Sequence, residues 1–188
     1  MSRFRDLNLE AFRANVTASR VRGLQIIQAA LCGSVVLFAG VLFFLAGTHA
    51  APPQQAALDA AGVATVRFLT LAHFVLAAIV YVAAPLVENA VYRRGRAIQG
   101  ESSAALLTAQ ALGIIQTARL TRLAMYEGVA LMGLVVCFVA MSTNVMAAHP
   151  VYWVNAITAA LLIGYVVSTF PNRDRLAEVF QARLQNVT

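Results

Sequence analysis

The chain has 188 residues, 60% of them hydrophobic and only 12% charged, with 14 basic side chains against 8 acidic ones. A soluble domain of this size carries about a quarter of its residues as charges, so an ordinary water-soluble globule is excluded. Every basic residue is arginine, and in so apolar a chain the positive excess marks cytoplasmic segments, not a nucleic-acid surface. The Ala, Val and Arg usage without lysine looks like that of a high-GC bacterial genome.

Residues 1–23 form an N-terminal amphipathic segment: Leu9, Phe12 and Val16 recur at helical spacing, with Arg and acidic residues between them. Leu24 to Gly47 is the first stretch able to cross a bilayer core, which takes about 20 apolar residues of helix. Its length exceeds the roughly 7–15 residues of a signal-peptide core, so Thr48-His49-Ala50 is read as a loop start and not a cleavage site. The second span runs from about Phe68 to Val91, closing a first hairpin over residues 24–92. Residues 93–122 are an Arg-rich segment, with Ser102-Ser103 as a cap before an amphipathic helix carrying Leu106, Leu107, Ala111, Ile114 and Ile115. Leu123 to Met146 and Tyr152 to Phe170 make a second hairpin over residues 123–170, with Tyr152 and Trp153 at an interfacial aromatic belt. The C-terminal segment, 171–188, starts at Pro171 or Asn172 and places Leu176, Val179, Phe180 and Leu184 on one side. These three amphipathic segments are expected to cap the bundle, lie on an anionic leaflet or dock a partner.

Thirteen arginines flank the cytoplasmic ends of this arrangement and Arg67 alone lies on the other side. Arginine is retained on the cytoplasmic face, so both termini and the middle segment are expected inside a bacterial inner membrane. Cys32 and Cys137 lie within spans at depths differing by roughly 9 Å, at 1.5 Å rise per residue, and are expected to be small buried hydrophobes.

Shifting the sequence by 100 residues aligns spans one and three without a gap, with ten identities in 33 positions, including Arg22 with Arg122, Gly33 with Gly133 and His49 with His149. The expected fold is therefore an all-α, four-transmembrane-helix bundle of two tandem hairpins in parallel repeat, with cytoplasmic amphipathic helices. Gly33, Gly40 and Gly47 recur every seven residues, and their counterparts are Gly133, Ala140 and Ala147. Small residues at heptad spacing predict a seam through which spans one and three face each other.

Ionisable groups inside a membrane are expensive and raise a functional question. Glu88 and Glu127 lie near the cytoplasmic ends of spans two and three. They are expected to meet each other, sharing a proton, or to pair with Arg22, Arg119 or Arg122 in a belt joining helix ends. His73 is the one histidine within a span, with His49 and His149 at outer helix ends. A metal or haem on these three is weakly indicated, since no pair has a known ligand spacing, and no cofactor is predicted. Tyr126, Asn144, Asn155 and Thr158 are expected to hydrogen-bond between helices. No nucleotide loop, catalytic triad or paired-cysteine motif occurs, which argues against an enzyme.

The run Arg122, Ala124, Glu127, Gly128, Ala130 and Gly133, with Phe170-Pro171 and a charged tail after span four, resembles small uncharacterised bacterial four-span membrane proteins. That resemblance covers about half the chain and implies a membrane location without an activity. The function expected is a non-catalytic accessory, assembly or scaffold subunit, with the lipid bilayer and other membrane proteins or a second copy as partners. A small oligomeric transporter or channel using the embedded carboxylates, and a haem- or metal-binding redox component, are the alternatives.

Overall fold

A computed structural model of the chain describes Phe4 and residues 7–48, 60–97 and 103–185. These residues are 93% helical and contain no strand. In chain order they form α1 (Leu9–Asn15), α2 (Ala18–Thr48), α3 (Ala60–Ala97), α4 (Ala104–Ser142), α5 (Val145–Ala148), a 3-10 helix (Pro150–Ala156), α6 (Ile157–Ser168), α7 (Arg173–Phe180) and a closing π-helical turn (Gln181–Gln185). Four segments are long and apolar enough to cross a membrane: α2, α3, α4, and the 3-10 helix together with α6 over Pro150–Ser168.

Polar caps set the helix ends. The Asn8 side chain accepts from the Glu10 amide at 3.0 Å to start α1. Ser103 Oγ accepts from the Leu106 amide at 3.4 Å ahead of α4, as expected, while Ser102 lies outside the described residues. Asn172 Oδ1 accepts from the Arg175 amide at 2.7 Å and begins α7 directly after Pro171. Each such bond satisfies one of the orphan amides of a first helical turn.

Two boundaries differ from the sequence expectation. The amphipathic stretch 104–122 is not a separate helix but the first half of α4, continuous with span three. No proline interrupts 104–142, and isolated glycines such as Gly113 cost a helix only about 1 kcal/mol each. Span three stops at Ser142 and not at Met146, because Asn144 turns the chain with φ of 57°. Asparagine tolerates this left-handed conformation better than other side-chain-bearing residues, so its role is a turn and not a bond between helices.

The described residues fall into two compact units. One comprises the described parts of 1–29, 83–123 and 169–188. Its core collects the apolar positions of all three amphipathic segments: Phe4, Phe12 and Val16 from the first, Leu107, Leu112 and Ile115 from the second, Leu176, Phe180 and Leu184 from the third. Phe12 stacks on Phe180 with ring centroids 4.2 Å apart, and Phe4 meets the same ring edge-on at 6.3 Å. Gln185 Nε2 donates to the Leu7 carbonyl at 3.2 Å, and Arg183 donates to Asn89 Oδ1 at 2.9 Å. The amphipathic faces are thus covered by one another. At about 1.5–3 kcal/mol for each large apolar side chain removed from water, this mutual burial dominates the stability of the unit.

The second unit comprises 30–82 and 124–168. Leu42, Val66, Leu134, Val136, Ala140 and Leu162 are buried within it, and Phe43 stacks on Trp153 at 5.1 Å. Its exterior is as apolar as its interior: Leu37, Phe44, Phe68 and Val82 are all more than 60% exposed. Hydrocarbon solvates such a surface and water does not. Both cysteines are free, Cys137 buried and Cys32 half-buried.

Replacing Phe180 by alanine should cost about 3–5 kcal/mol, as for other buried aromatics, against about 1 kcal/mol for loss of the cap in Asn172→Ala. Chemical unfolding in detergent followed by circular dichroism measures both, with exposed Phe68→Ala as the unchanged control.

Candidate functional site

The most enclosed polar cluster lies in the second unit. His73, on α3, is fully buried, as are Asn155 of the 3-10 helix and, nearly so, Thr158 of α6. Polar side chains in an apolar setting persist only when their donors and acceptors are matched. Asn155 Nδ2 donates to Thr70 Oγ1 at 3.1 Å and to the Tyr152 carbonyl at 2.9 Å. Its amide hydrogens are thereby committed, so Oδ1 is the acceptor toward His73 Nδ1, 2.9 Å away. The ring hydrogen therefore sits on Nδ1, and Nε2 faces Thr158 Oγ1 at 3.2 Å. The single Thr158 hydroxyl hydrogen is shared between Nε2 and the Asn155 carbonyl, the latter also 3.2 Å away. Gly133 of α4 makes room for this set: a Cβ there would run into the Asn155 carbonyl, Thr158 Oγ1 and the His73 ring.

The two carboxylates belong to different units and each has its own partner. In the first unit Arg122 Nη1 donates to Glu88 Oε2 at 2.8 Å, with the Glu88 side chain only 9% exposed. In the second, the Ser34 hydroxyl lies 2.6 Å from Glu127 Oε1 and 2.8 Å from the Leu31 carbonyl. The expected pairing of Glu88 with Arg122 is present. Arg119 instead donates to the Thr169 carbonyl at 3.5 Å, where Gln25 also donates to the Pro171 carbonyl at 2.9 Å. Both bonds satisfy carbonyls beyond the end of α6. Arg22 is exposed. Tyr126 packs between Tyr81 and Tyr165, with centroids at 4.9 and 5.2 Å.

The seam residues divide. Gly133 and Ala140 are buried, whereas Gly40, Gly47 and Ala147 are exposed. A Cβ added at Gly33, Gly40 or Gly47 would meet nothing within 4 Å. Helices α2 and α4 do approach in the second unit, but through Ser34 and Glu127 and not through the glycine row. Matching repeat positions also differ in burial: Val35 is buried and Val135 is 42% exposed, while Val36 is 47% exposed and Val136 is buried. His149 is exposed and lies edge-on to Tyr152 at 6.4 Å; His49 lies outside the described residues. Among the described residues no three His, Cys, Asp or Glu side chains gather as a metal site.

Sequence reasoning missed Thr70 and Ser34. Thr70 stands three residues before His73, on the same helix face, a spacing that could have placed it in the cluster. Ser34 carries no comparable signal. No protein-family model, curated protein or solved structure matches this chain in the comparisons made.

Adding one methyl group in Gly133→Ala should displace His73 or Asn155 and destabilise the fold by about 1–3 kcal/mol, the range for overpacking. Glu88→Gln should cost about 1–3 kcal/mol by replacing a charge-assisted bond to Arg122 with a neutral one. Thermal unfolding of the detergent-purified variants checks both, and an unchanged midpoint for Gly133→Ala would refute the tight packing.

Proposed function

We propose that this chain is a non-catalytic accessory, assembly or scaffold subunit of a membrane complex, held in a bacterial inner membrane and docked through α2. The observation that carries this is the row Gly33, Gly40 and Gly47, whose missing side chains serve no contact among the described residues. A glycine inside a helix costs about 0.5–1 kcal/mol relative to alanine. Three of them at heptad spacing, with Leu37 and Phe44 between them at 74% and 71% exposure, form a surface of alternating holes and knobs. Such a surface suits close approach by a helix from another chain.

The polar groups inside the helices support the same choice. A carboxylate-based transporter needs Glu88 and Glu127 to change partners during turnover, yet Glu88 sits on Arg122 and Glu127 on Ser34. A haem or metal on His73 would have to displace Asn155 or Thr158. Orientation with both termini cytoplasmic rests on the arginine asymmetry, and two tandem hairpins of one orientation rest on the repeat between spans one and three.

Mild-detergent extraction from native membranes should yield the chain in a complex larger than itself. Gly40→Leu should release free chain with unchanged helicity, because a Cβ at this position meets nothing within 4 Å among the described residues. Recovery of wild-type chain solely as monomer would sink the proposal. Reporter fusions after Ala105 and Ala56 should report opposite compartments, the former cytoplasmic.

A further inference from the structure

Within the first unit, the end of α3 and the first half of α4 enclose an open groove of about 580 Å³. Its walls are set by where the helices touch: a Cβ at Gly95 would fall 2.6–2.8 Å from the Ile114 side chain, so the backbone of α3 lies directly against that residue. Val91 and Ile114 supply apolar wall, and Gly113 leaves the floor open. Arg94 contributes an exposed guanidinium. Gln110 also lines the groove, and its Oε1 is buried with no hydrogen-bond partner among the described residues. Among the described residues no carboxylate lines it.

These features specify an occupant. It must bring an anionic group to Arg94 and lay apolar substance along Val91 and Ile114; Gln110 Oε1 is sealed from the groove and takes no part. The volume falls within the range of about 300–1,000 Å³ typical of small-molecule sites. Val91 closes the apolar stretch of α3 and Arg93, Arg94 and Arg96 follow it, which is the depth at which a bilayer presents its headgroups. We propose that this groove binds one anionic glycerophospholipid. Its phosphate contacts Arg94, with no headgroup cation to offset its charge, and an acyl chain follows the apolar wall. The proposal rests on the helices crossing a bilayer and is independent of the assembly role.

The test uses the full chain in detergent, with native mass spectrometry after adding phosphatidylglycerol or phosphatidylcholine of identical acyl chains. One phosphatidylglycerol should be retained per chain with about tenfold preference over phosphatidylcholine, because the choline cation of the latter offsets its phosphate and is repelled by Arg94. Arg94→Gln should lose that preference, whereas Arg93→Gln, equal in net charge but outside the groove, should keep it. Gly113→Leu adds a side chain in the groove where a Cβ meets nothing within 4 Å among the described residues, so it should abolish retention while circular dichroism stays unchanged. Equal retention of both lipids, or equal effects of Arg93→Gln and Arg94→Gln, would overturn the site in favour of diffuse attraction. Displacement by an equal concentration of glycerol 3-phosphate would overturn the lipid assignment in favour of a soluble phosphate.

Discussion

An apolar surrounding offers no hydrogen bonds, and this single constraint governs how the polar side chains of the four long helices are placed. His73, Asn155 and Thr158 close on one another with Thr70 at their edge, and Glu88 is neutralised by Arg122. Each of these contacts joins residues far apart in sequence, so matching polar groups also selects which helices pack together. In hydrocarbon there is little hydrophobic drive between helices; polar contacts and close packing supply the specificity instead. Gly133 shows the two working together, since the absence of one side chain admits the whole histidine cluster.

Outside the apolar stretches the driving force is the ordinary one. The N-terminal segment, the start of α4 and the C-terminal segment each carry one apolar stripe too narrow to stabilise a helix alone. Joined through Phe12, Ile115, Leu176 and Phe180, they make a shared core. Because these stripes are buried against each other, their apolar faces are not free to lie on a leaflet. What remains exposed near the basic end of α3 is an apolar-walled groove that carries the Arg94 cation, a different kind of surface.

The glycine rows of spans one and three illustrate how similar sequence acquires different work. Half of the most apolar window of α4 is buried, against 11% for α2. In an enclosed helix a glycine is a contact; in an exposed one it is an opening. Gly133 and Gly33 therefore cannot be interchanged, although a shift of 100 residues aligns them.

Composition and periodicity alone determined that the chain is all-helical with four membrane-length apolar helices, because 20-residue apolar runs and one-sided spacing have few other solutions. They also marked most of the apolar positions buried in the amphipathic segments, Phe12, Ile115 and Phe180 among them, but not all, since Leu106 is 51% exposed; the pairing of Glu88 with Arg122 was among the choices they left. Tertiary structure alone decided which of those choices was taken: Ser34 as the partner of Glu127, Thr70 and Asn155 around His73, and the failure of the glycine row to meet α4. Those outcomes depend on the rotation of each helix about its axis. Helical spacing defines a stripe but not the neighbour that the stripe will face.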